Sequence, residues 1–214
     1  MSRWRPLLLA PALLLLVGCG GGTGTGGDEP GASRPPAATG ARFADCKALA
    51  APPEPAASAV GSAAPVASAA GGLPDIELPC FGGGGGVRLA GIRGPAVLNL
   101  WASWCPPCRR ELPAFQRFAD RTAGRVHVLG VVTLDTRAAS ASLAEDFDVR
   151  FANLFDDHGR LQRALVKRKL AGQALPVTVF VDRAGAVRFV HVAEALDDAR
   201  LAQLAERHLG VVAR

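Results

Sequence analysis

The sequence predicts an α/β domain in which helices lie on both faces of a central mixed β-sheet. Helical patterns and strand patterns interleave along residues 73–214. The run 96–101 is apolar almost throughout, which is typical of a strand covered on both faces. Two further strand patterns, at 177–181 and 187–192, are joined by a short turn before the last helix, and this adds an antiparallel hairpin to the sheet.

Each predicted element has a local reason. Strand patterns at 76–81 and 87–89 flank the glycine run 82–86, so they predict an N-terminal β-hairpin extension with a flexible connection. Apolar residues at helical spacing predict a helix over 106–121, and a second apolar run predicts a strand over 126–134. The remaining elements are expected in the order helix, helix, strand, strand, helix, over 138–147, 161–169, 177–181, 187–192 and 197–209.

The first residues have the pattern of a targeting segment. Arg3 and Arg5 give a positive start, and 7–17 is an apolar run shorter than the roughly 20 residues that span a bilayer. The run ends in Leu-Val-Gly-Cys, which resembles a bacterial lipobox, so 1–18 is expected to be a lipoprotein signal peptide and Cys19 the lipidated residue. This predicts a lipid anchor on the extracytoplasmic side of the membrane. An ordinary secretory signal, with Cys19 incidental, is the alternative.

Residues 19–72 are dominated by Gly, Ala, Pro, Ser and Thr and contain few large apolar side chains. Such a composition is typical of a disordered tether. It leaves 73–214 as a single domain large enough for its own core.

The charge pattern argues against nucleic acid as a partner. The chain has 24 Lys and Arg residues against 19 Asp and Glu residues, a net charge of +5, with no dense basic stripe interleaved with aromatics. The one local basic cluster, 167–169, is expected to be a solvated face. Its closeness in sequence to the 175–176 loop leaves a docking role open.

The pentapeptide Trp104, Cys105, Pro106, Pro107 and Cys108 lies directly between a predicted strand and a predicted helix. Two cysteines at this spacing can bridge, and the unpaired amides at a helix start stabilise the thiolate of the first one. A thiolate attacks disulfides, whereas a thiol does not. Prolines fit here because the first helical turn has no intrahelical use for its N–H groups. The motif therefore predicts a redox-active dithiol.

A structural zinc half-site is the alternative for these two cysteines. Zinc requires four ligands, and no second Cys-x-x-Cys or paired histidines follow at finger spacing. The four histidines are scattered singly, so no metal and no other cofactor is expected.

The run from Trp101 to Pro113 resembles the thioredoxin superfamily, and in particular the TlpA/ResA group of membrane-anchored, extracytoplasmic thiol:disulfide oxidoreductases. The resemblance covers Leu73 to the C-terminus and implies a thioredoxin fold. It also implies that Leu175 and Pro176 form the loop whose cis-proline lies beside the dithiol. A trans proline at a strand start is the alternative. Tryparedoxin-like proteins share the pentapeptide, but the lipobox argues against them.

Two further positions are interpreted through this resemblance. Asn99 stands where cytoplasmic thioredoxins carry a buried aspartate, and an amide cannot take a proton. Glu111 matches a glutamate of ResA-like proteins, so we expect it to tune or relay the proton when Cys108 attacks, with a raised pKa if it is buried. An exposed carboxylate that only complements the helix start is the alternative.

Cys46 and Cys80 remain as a second pair. In an oxidising compartment two such cysteines are expected to form a structural disulfide that pins the tether to the first strand. A second redox centre is the alternative.

The predicted function is two-step disulfide exchange with disulfide-bearing extracytoplasmic proteins. The resemblance implies recharging by a transmembrane electron donor of the CcdA/DsbD type, and clients such as apocytochrome c or copper-centre assembly proteins. A disulfide-forming oxidase uses the same residues, and a lipid-tethered binding module with an inert bridge is the non-enzymatic alternative. A peroxidase would need Thr-x-x-Cys, and Ala102 occupies that threonine position.

Overall fold

The computed structural model describes residues 43–50 and 71–213. The predicted signal peptide, Cys19 and most of the predicted tether lie outside these residues. No helix in the described part of the chain is long and apolar enough to cross a bilayer.

The centre of the fold is a five-stranded mixed sheet. Its strand order is β5-β4-β3-β6-β7, in which β3, β4 and β5 are parallel and β6 and β7 run antiparallel to their neighbours. All six residues of β3 are buried, as expected for a central strand covered on both faces. The strands are β3 (Ala96–Trp101), β4 (His127–Thr133), β5 (Ala152–Asp156), β6 (Val177–Val181) and β7 (Val187–Val192).

Four helices flank the sheet, and α1 and α4 also pack against each other. The largest fully buried side chains include Trp101 of β3, Phe115 and Phe118 of α1, and Phe180 of β6, so the core lies between the central strands and these helices. This arrangement confirms the predicted thioredoxin-like α/β fold. The helices are α1 (Pro106–Arg121), α2 (Arg137–Asp146), α3 (Arg160–Lys167) and α4 (Asp198–Leu209).

The N-terminal hairpin extension is also confirmed. Strand β1 (Glu77–Pro79) pairs antiparallel with β2 (Gly86–Arg88). Glycines 83, 84 and 85 in the connection all have positive φ, a conformation that side chains disfavour. Cys80 then pairs with Leu154, which attaches the hairpin to the edge strand β5.

The sequence prediction had no strand between the second and third helices, and this was wrong, because β5 lies there. Asn153 and Asp156 interrupt its apolar pattern, yet both are fully buried. The side-chain oxygen Oδ1 of Asn153 accepts a hydrogen bond from the indole N–H of Trp101 at 2.9 Å. The Asp156 carboxylate accepts from the backbone N–H groups of Arg160 and Leu161, at the start of α3. Tertiary partners therefore satisfy polar groups that made this strand look like a loop.

Residues 43–50 differ from the prediction of a continuous tether over 19–72. They include a short 3-10 helix, Cys46–Ala50, and Cys46 and Leu49 are each 5% exposed. The Phe43 ring contacts Phe81 edge-on, with centroids 4.8 Å apart. The Cys46–Cys80 disulfide holds this segment on the hairpin, whereas the short helix and the Phe43 contact were not predicted from the tether-like composition.

Candidate functional site

The pentapeptide lies at the carboxyl end of the central strand. Strand β3 ends at Trp101 and α1 begins at Pro106, with Cys105 as the N-cap in an extended conformation (φ −93°, ψ 104°). Pro106 and Pro107 occupy the first two helical positions, where a backbone N–H would have no acceptor within the helix. The strand, the short loop and the two prolines together fix the first cysteine at the helix start.

Cys105 and Cys108 form a disulfide in this structure, with sulfurs 2.05 Å apart. The Cys105 sulfur also accepts a hydrogen bond from the backbone N–H of Cys108 at 3.2 Å. That N–H and the positive end of the 16-residue helix α1 stabilise negative charge on the Cys105 sulfur once the disulfide opens. Cys105 is 2% exposed and Cys108 is fully buried, so Cys105 is the less buried of the two residues.

Glu111 lies three residues beyond Cys108 on α1 and is fully buried. One carboxylate oxygen accepts a hydrogen bond from the Asn99 amide at 2.5 Å, and the other accepts from the Leu196 backbone N–H at 3.0 Å. Burial raises the pKa of Glu111 to about 7, although both hydrogen bonds act in the opposite direction. A carboxyl group with this pKa can take up or release a proton at neutral pH. An exposed carboxylate at the helix start would not have these partners.

Asn99 lies on β3, in register with Thr178 on β6, so both side chains face the same side of the sheet. Both residues are buried. Within the described part of the chain, Asn99 Oδ1 and Thr178 Oγ1 make no hydrogen bond. Sequence reasoning missed Thr178, although a polar residue two positions after Pro176 in an apolar strand was a signal.

The Leu175–Pro176 peptide bond is cis. Pro176 directly precedes β6, whose first residue Val177 pairs with Leu100 near the carboxyl end of β3. The proline therefore lies at the same end of the sheet as Cys105. The backbone N–H and C=O of Leu175 have no hydrogen-bond partner among the residues that the structure describes.

Hydrogen bonds join the loop after β4 to the loop before the dithiol. The Asp135 carboxylate accepts hydrogen bonds from the Ser103 backbone N–H at 2.6 Å and the Ser103 hydroxyl at 3.0 Å. It also accepts from the backbone N–H of Thr136 at 2.8 Å. The indole N–H of Trp104 donates to the carbonyl oxygen of Leu134 at 2.9 Å, and Trp104 remains 58% exposed. Asp135 was not predicted from the sequence. Its position just after a strand parallel to β3 could have indicated that it lies near the dithiol loop.

A family comparison matches residues 71–190 to the AhpC/TSA family model, more than half of the chain. The chain belongs to the AhpC/TSA family.

Named relatives of this AhpC/TSA family member agree with the predicted chemistry. It is 28% identical over 123 residues to the thioredoxin-like protein YneN of Bacillus subtilis, covering 56% of this chain and 68% of YneN. It is 31% identical over 122 residues to the thiol:disulfide interchange protein DsbE of Pseudomonas fluorescens, covering 56% of this chain and 64% of that relative. The solved structure of MTB DsbF, in mixed oxidised and reduced forms, has a TM-score of 0.53 at 26% identity, covering 60% and 91% of the two chains. The resemblance to thiol:disulfide oxidoreductases is confirmed.

Two sequence features of this AhpC/TSA family member lie away from the dithiol. Cys46 and Cys80 form a disulfide, with Cα atoms 6.0 Å apart, and Cys80 pairs with the edge strand β5, two strands from β3. In the basic cluster 167–169, the Arg168 guanidinium donates to the carbonyl oxygen of Gly72. Gly72 pairs with Ala186, next to the start of β7 and at the end of the sheet opposite Pro176. The Arg168 side chain is therefore engaged at the end of the sheet away from Pro176.

In the described residues, no group of three or more His, Cys, Asp or Glu side chains is arranged to hold a metal ion. The two sulfurs and the buried carboxyl group of Glu111 lie at the start and in the second turn of the same helix.

Proposed function

We propose that this AhpC/TSA family protein exchanges disulfides with partner proteins through Cys105 and Cys108. The observation that carries the proposal is the arrangement around one helix start. Cys105 caps α1 and receives the Cys108 N–H, while Cys108 lies fully buried on the same helix as the carboxyl group of Glu111. This arrangement supplies an activated sulfur, a resolving sulfur and a proton acceptor in turn.

In the reducing direction the reaction has two steps. The Cys105 thiolate attacks one sulfur of the partner disulfide, so a mixed disulfide forms and the partner's other sulfur leaves as a thiolate. The Cys108 thiolate then attacks the Cys105 sulfur, which releases the partner's first sulfur and closes the Cys105–Cys108 disulfide. The partner gains two electrons, and the oxidised protein must be reduced again before another cycle.

Glu111 supplies the proton step that Cys108 needs. A buried thiol must lose its proton before it can attack, and burial disfavours the thiolate. Because the pKa of Glu111 is about 7, its carboxylate can accept that proton at neutral pH and release it later. Asn99 positions the carboxylate through the 2.5 Å hydrogen bond. The Glu111→Gln variant should therefore change the pH dependence of disulfide exchange; an identical profile would remove this role.

The partner chain is proposed to pair with the backbone beside Pro176. The N–H and C=O of Leu175 can hydrogen-bond an extended client, as backbone groups at a sheet edge do. Such pairing would hold the client's disulfide over Cys105 through backbone hydrogen bonds, which do not depend on the client's side chains.

The cellular setting belongs to the same proposal. The DsbE relatives are named thiol:disulfide interchange proteins, which supports exchange as the chemistry. The proposed direction is reduction, and the proposed clients are extracytoplasmic proteins such as apocytochrome c or copper-centre assembly proteins. A CcdA/DsbD-type membrane donor would supply the electrons, and lipidated Cys19 would hold the protein at the membrane. Cys19→Ser should release the protein into the soluble fraction, whereas unchanged membrane retention would contradict the anchor.

The exchange scheme is tested by trapping. Cys108→Ser should accumulate covalent complexes with partner proteins, because the mixed disulfide at Cys105 is no longer resolved. The matched Cys105→Ser variant should accumulate none. Absence of complexes with Cys105 intact would overturn the scheme.

The direction of electron flow is tested separately. Insulin reduction by the purified protein distinguishes exchange from an inert bridge. An oxidase would hold Cys105 and Cys108 largely as the disulfide in intact cells, while a reductase would hold them largely as thiols.

A further inference from the structure

Two buried polar atoms near Glu111 have no hydrogen-bond partner in the described part of the chain. They are Oδ1 of Asn99 and Oγ1 of Thr178, and the residues that carry them are 0% and 1% exposed. A buried polar group without a partner destabilises the folded state, so native proteins satisfy nearly all such groups, in part with ordered waters. Neither atom has a role in the two-step exchange.

Asn99 and Thr178 lie side by side on the sheet. They are directly paired residues of the antiparallel strands β3 and β6, so their Cβ atoms are about 5 Å apart and point to the same face. Phe180, two residues beyond Thr178, shares this face and contacts His208 of α4, with ring centroids 6.2 Å apart. The Asn99 and Thr178 side chains therefore project toward the helices α1 and α4, on the side of the sheet where Asn99 meets Glu111.

The Asn99 amide can face Glu111 in two ways, related by a half-turn. In the orientation that the structure shows, Nδ2 donates to Glu111 Oε1 at 2.5 Å, which leaves Oδ1 for another donor. A half-turn would bring Oδ1 against an ionised carboxylate, where two acceptors repel each other. Once the carboxyl group is protonated, however, its O–H can donate to Oδ1, so the half-turned amide becomes acceptable. A donor held at Oδ1 keeps Nδ2 on Glu111 in both protonation states.

We propose that Thr178 is a positioning residue for the exchange reaction, and that it acts through one buried water shared by its hydroxyl and Asn99 Oδ1. This inference rests on the proposed exchange function. A buried water needs two to four polar partners, and the two unpaired oxygens supply two of them. The water donates to Oδ1, so the Asn99 amide keeps donating to Glu111 while that carboxyl group takes up and releases its proton.

Several titratable or charged groups lie on the elements around Glu111. Strands β3 and β6, which carry Asn99 and Thr178, contain none. The two active-site cysteines do not titrate while they are joined as a disulfide. A substitution of Thr178 changes none of these groups, so an altered Glu111 titration reports the loss of the hydroxyl. The groups are Cys105, Cys108, Arg109 and Arg110 on α1, His191 on β7, Glu194 and Asp197 in the loop before α4, and His208 on α4.

The test follows the titration of Glu111 in the oxidised full-length protein. The measured quantity is the ¹³C chemical shift of the Glu111 side-chain carboxyl carbon against pH, and the Glu111→Gln spectrum identifies the signal. This measurement does not depend on exchange activity. The second measurement is the rate at which the pre-reduced protein reduces a short disulfide-closed peptide, as a function of pH.

The decisive pair of variants is Thr178→Val, which keeps the β-branched shape without the hydroxyl, and Thr178→Ser, which keeps the hydroxyl. Thr133→Val is the matched control. Thr133 is a fully buried threonine of β4 whose hydroxyl also lacks a partner in the described residues. It lies three residues beyond Gly130, the β4 partner of Asn99, and therefore on the other face of the sheet.

Thr178→Val should raise the midpoint of the Glu111 titration by about one pH unit, because the Asn99 hydrogen bond that lowers the pKa of Glu111 is weakened. The pH–rate profile of exchange should move in the same direction. Thr178→Ala, which also lacks the hydroxyl, should raise the midpoint as well. Thr178→Ser and Thr133→Val should keep the wild-type midpoint and profile.

Three results would overturn the inference and leave the exchange function standing. They are a wild-type midpoint in Thr178→Val and Thr178→Ala, a shift in Thr178→Ser as large as that in Thr178→Val, and an equal shift in Thr133→Val. A shifted Glu111 midpoint with an unmoved exchange profile would refute the role of Thr178 in the reaction. A wild type that titrates normally at Glu111 but reduces no disulfide would instead refute the exchange function.

Discussion

Replacing Glu111 by Gln should remove a pH-dependent loss of folding stability. Glu111 titrates with a pKa of about 7 in the folded protein because of its burial, against 4.5 for an ordinary glutamate. Between these two values the folded state keeps a proton that the unfolded state has lost, so stability falls as pH rises through this window. At about 1.4 kcal/mol for each pH unit between them, the ionised carboxylate destabilises the folded protein by roughly 3 kcal/mol above pH 7.

The assay is urea unfolding of the oxidised protein at pH 5 and pH 8. The wild type should lose roughly 2–3 kcal/mol more unfolding free energy between these pH values than Glu111→Gln does, because the unfolded glutamate is already partly ionised at pH 5. Other titrating groups, such as His208, contribute equally to both proteins and cancel in this difference. Glu206→Gln, at an exposed position of α4, is the control and should keep the wild-type pH dependence. Equal losses for wild type and Glu111→Gln would refute the raised pKa.

Three other predictions concern parts of the molecule around this site. Replacing Cys46 and Cys80 by Ala should lower the unfolding free energy by about 4 kcal/mol, because the disulfide joins residues 34 positions apart in the sequence. In urea unfolding, each single variant should lose as much stability as the double variant. A loss below about 1 kcal/mol would contradict the chain-entropy estimate. Asp135→Ala should cost about 2 kcal/mol in the same assay, since it leaves Ser103 without its charged acceptor, and full stability would show that this contact is dispensable. Asn99→Asp places a second carboxylate beside Glu111 and should move the midpoint of the pH–rate profile of exchange above pH 7, because like charges raise each other's pKa. An unmoved midpoint would separate Asn99 from the proton step.

The sequence was most informative where structure is local. The dithiol, the two prolines at the helix start and the apolar strand before them are neighbours in the chain, so their spacing alone indicated a strand–loop–helix unit. The position of Glu111 could also be found on the helix. Its environment could not, because its two hydrogen-bond donors, Asn99 and Leu196, lie 12 and 85 residues away.

The remaining differences have the same physical origin. Strand β5 was not predicted because a buried asparagine is unusual in a strand, and the hydrogen-bond donor of Asn153, Trp101, lies 52 residues away in the sequence. Residues 43–50 have a tether-like composition, yet a disulfide and an aromatic contact to the hairpin order them. Asp135 gains its role only when parallel pairing brings the end of β4 next to the end of β3.

The N-terminal extension also bears on how this protein behaves when many copies crowd together. At one edge of the sheet, Cys80 pairs with Leu154 of β5, and the Phe81 N–H donates to the Asn153 carbonyl oxygen. At the other edge, Gly72 pairs with Ala186, and the Gly71 carbonyl oxygen accepts from the N–H of Val187, the first residue of β7. Unpaired edge strands can pair with the edge strands of other molecules, and this leads to aggregation. One stretch of chain thus covers part of β5 and the start of β7, and a version shortened to begin after residue 86 should precipitate at concentrations that the longer chain tolerates.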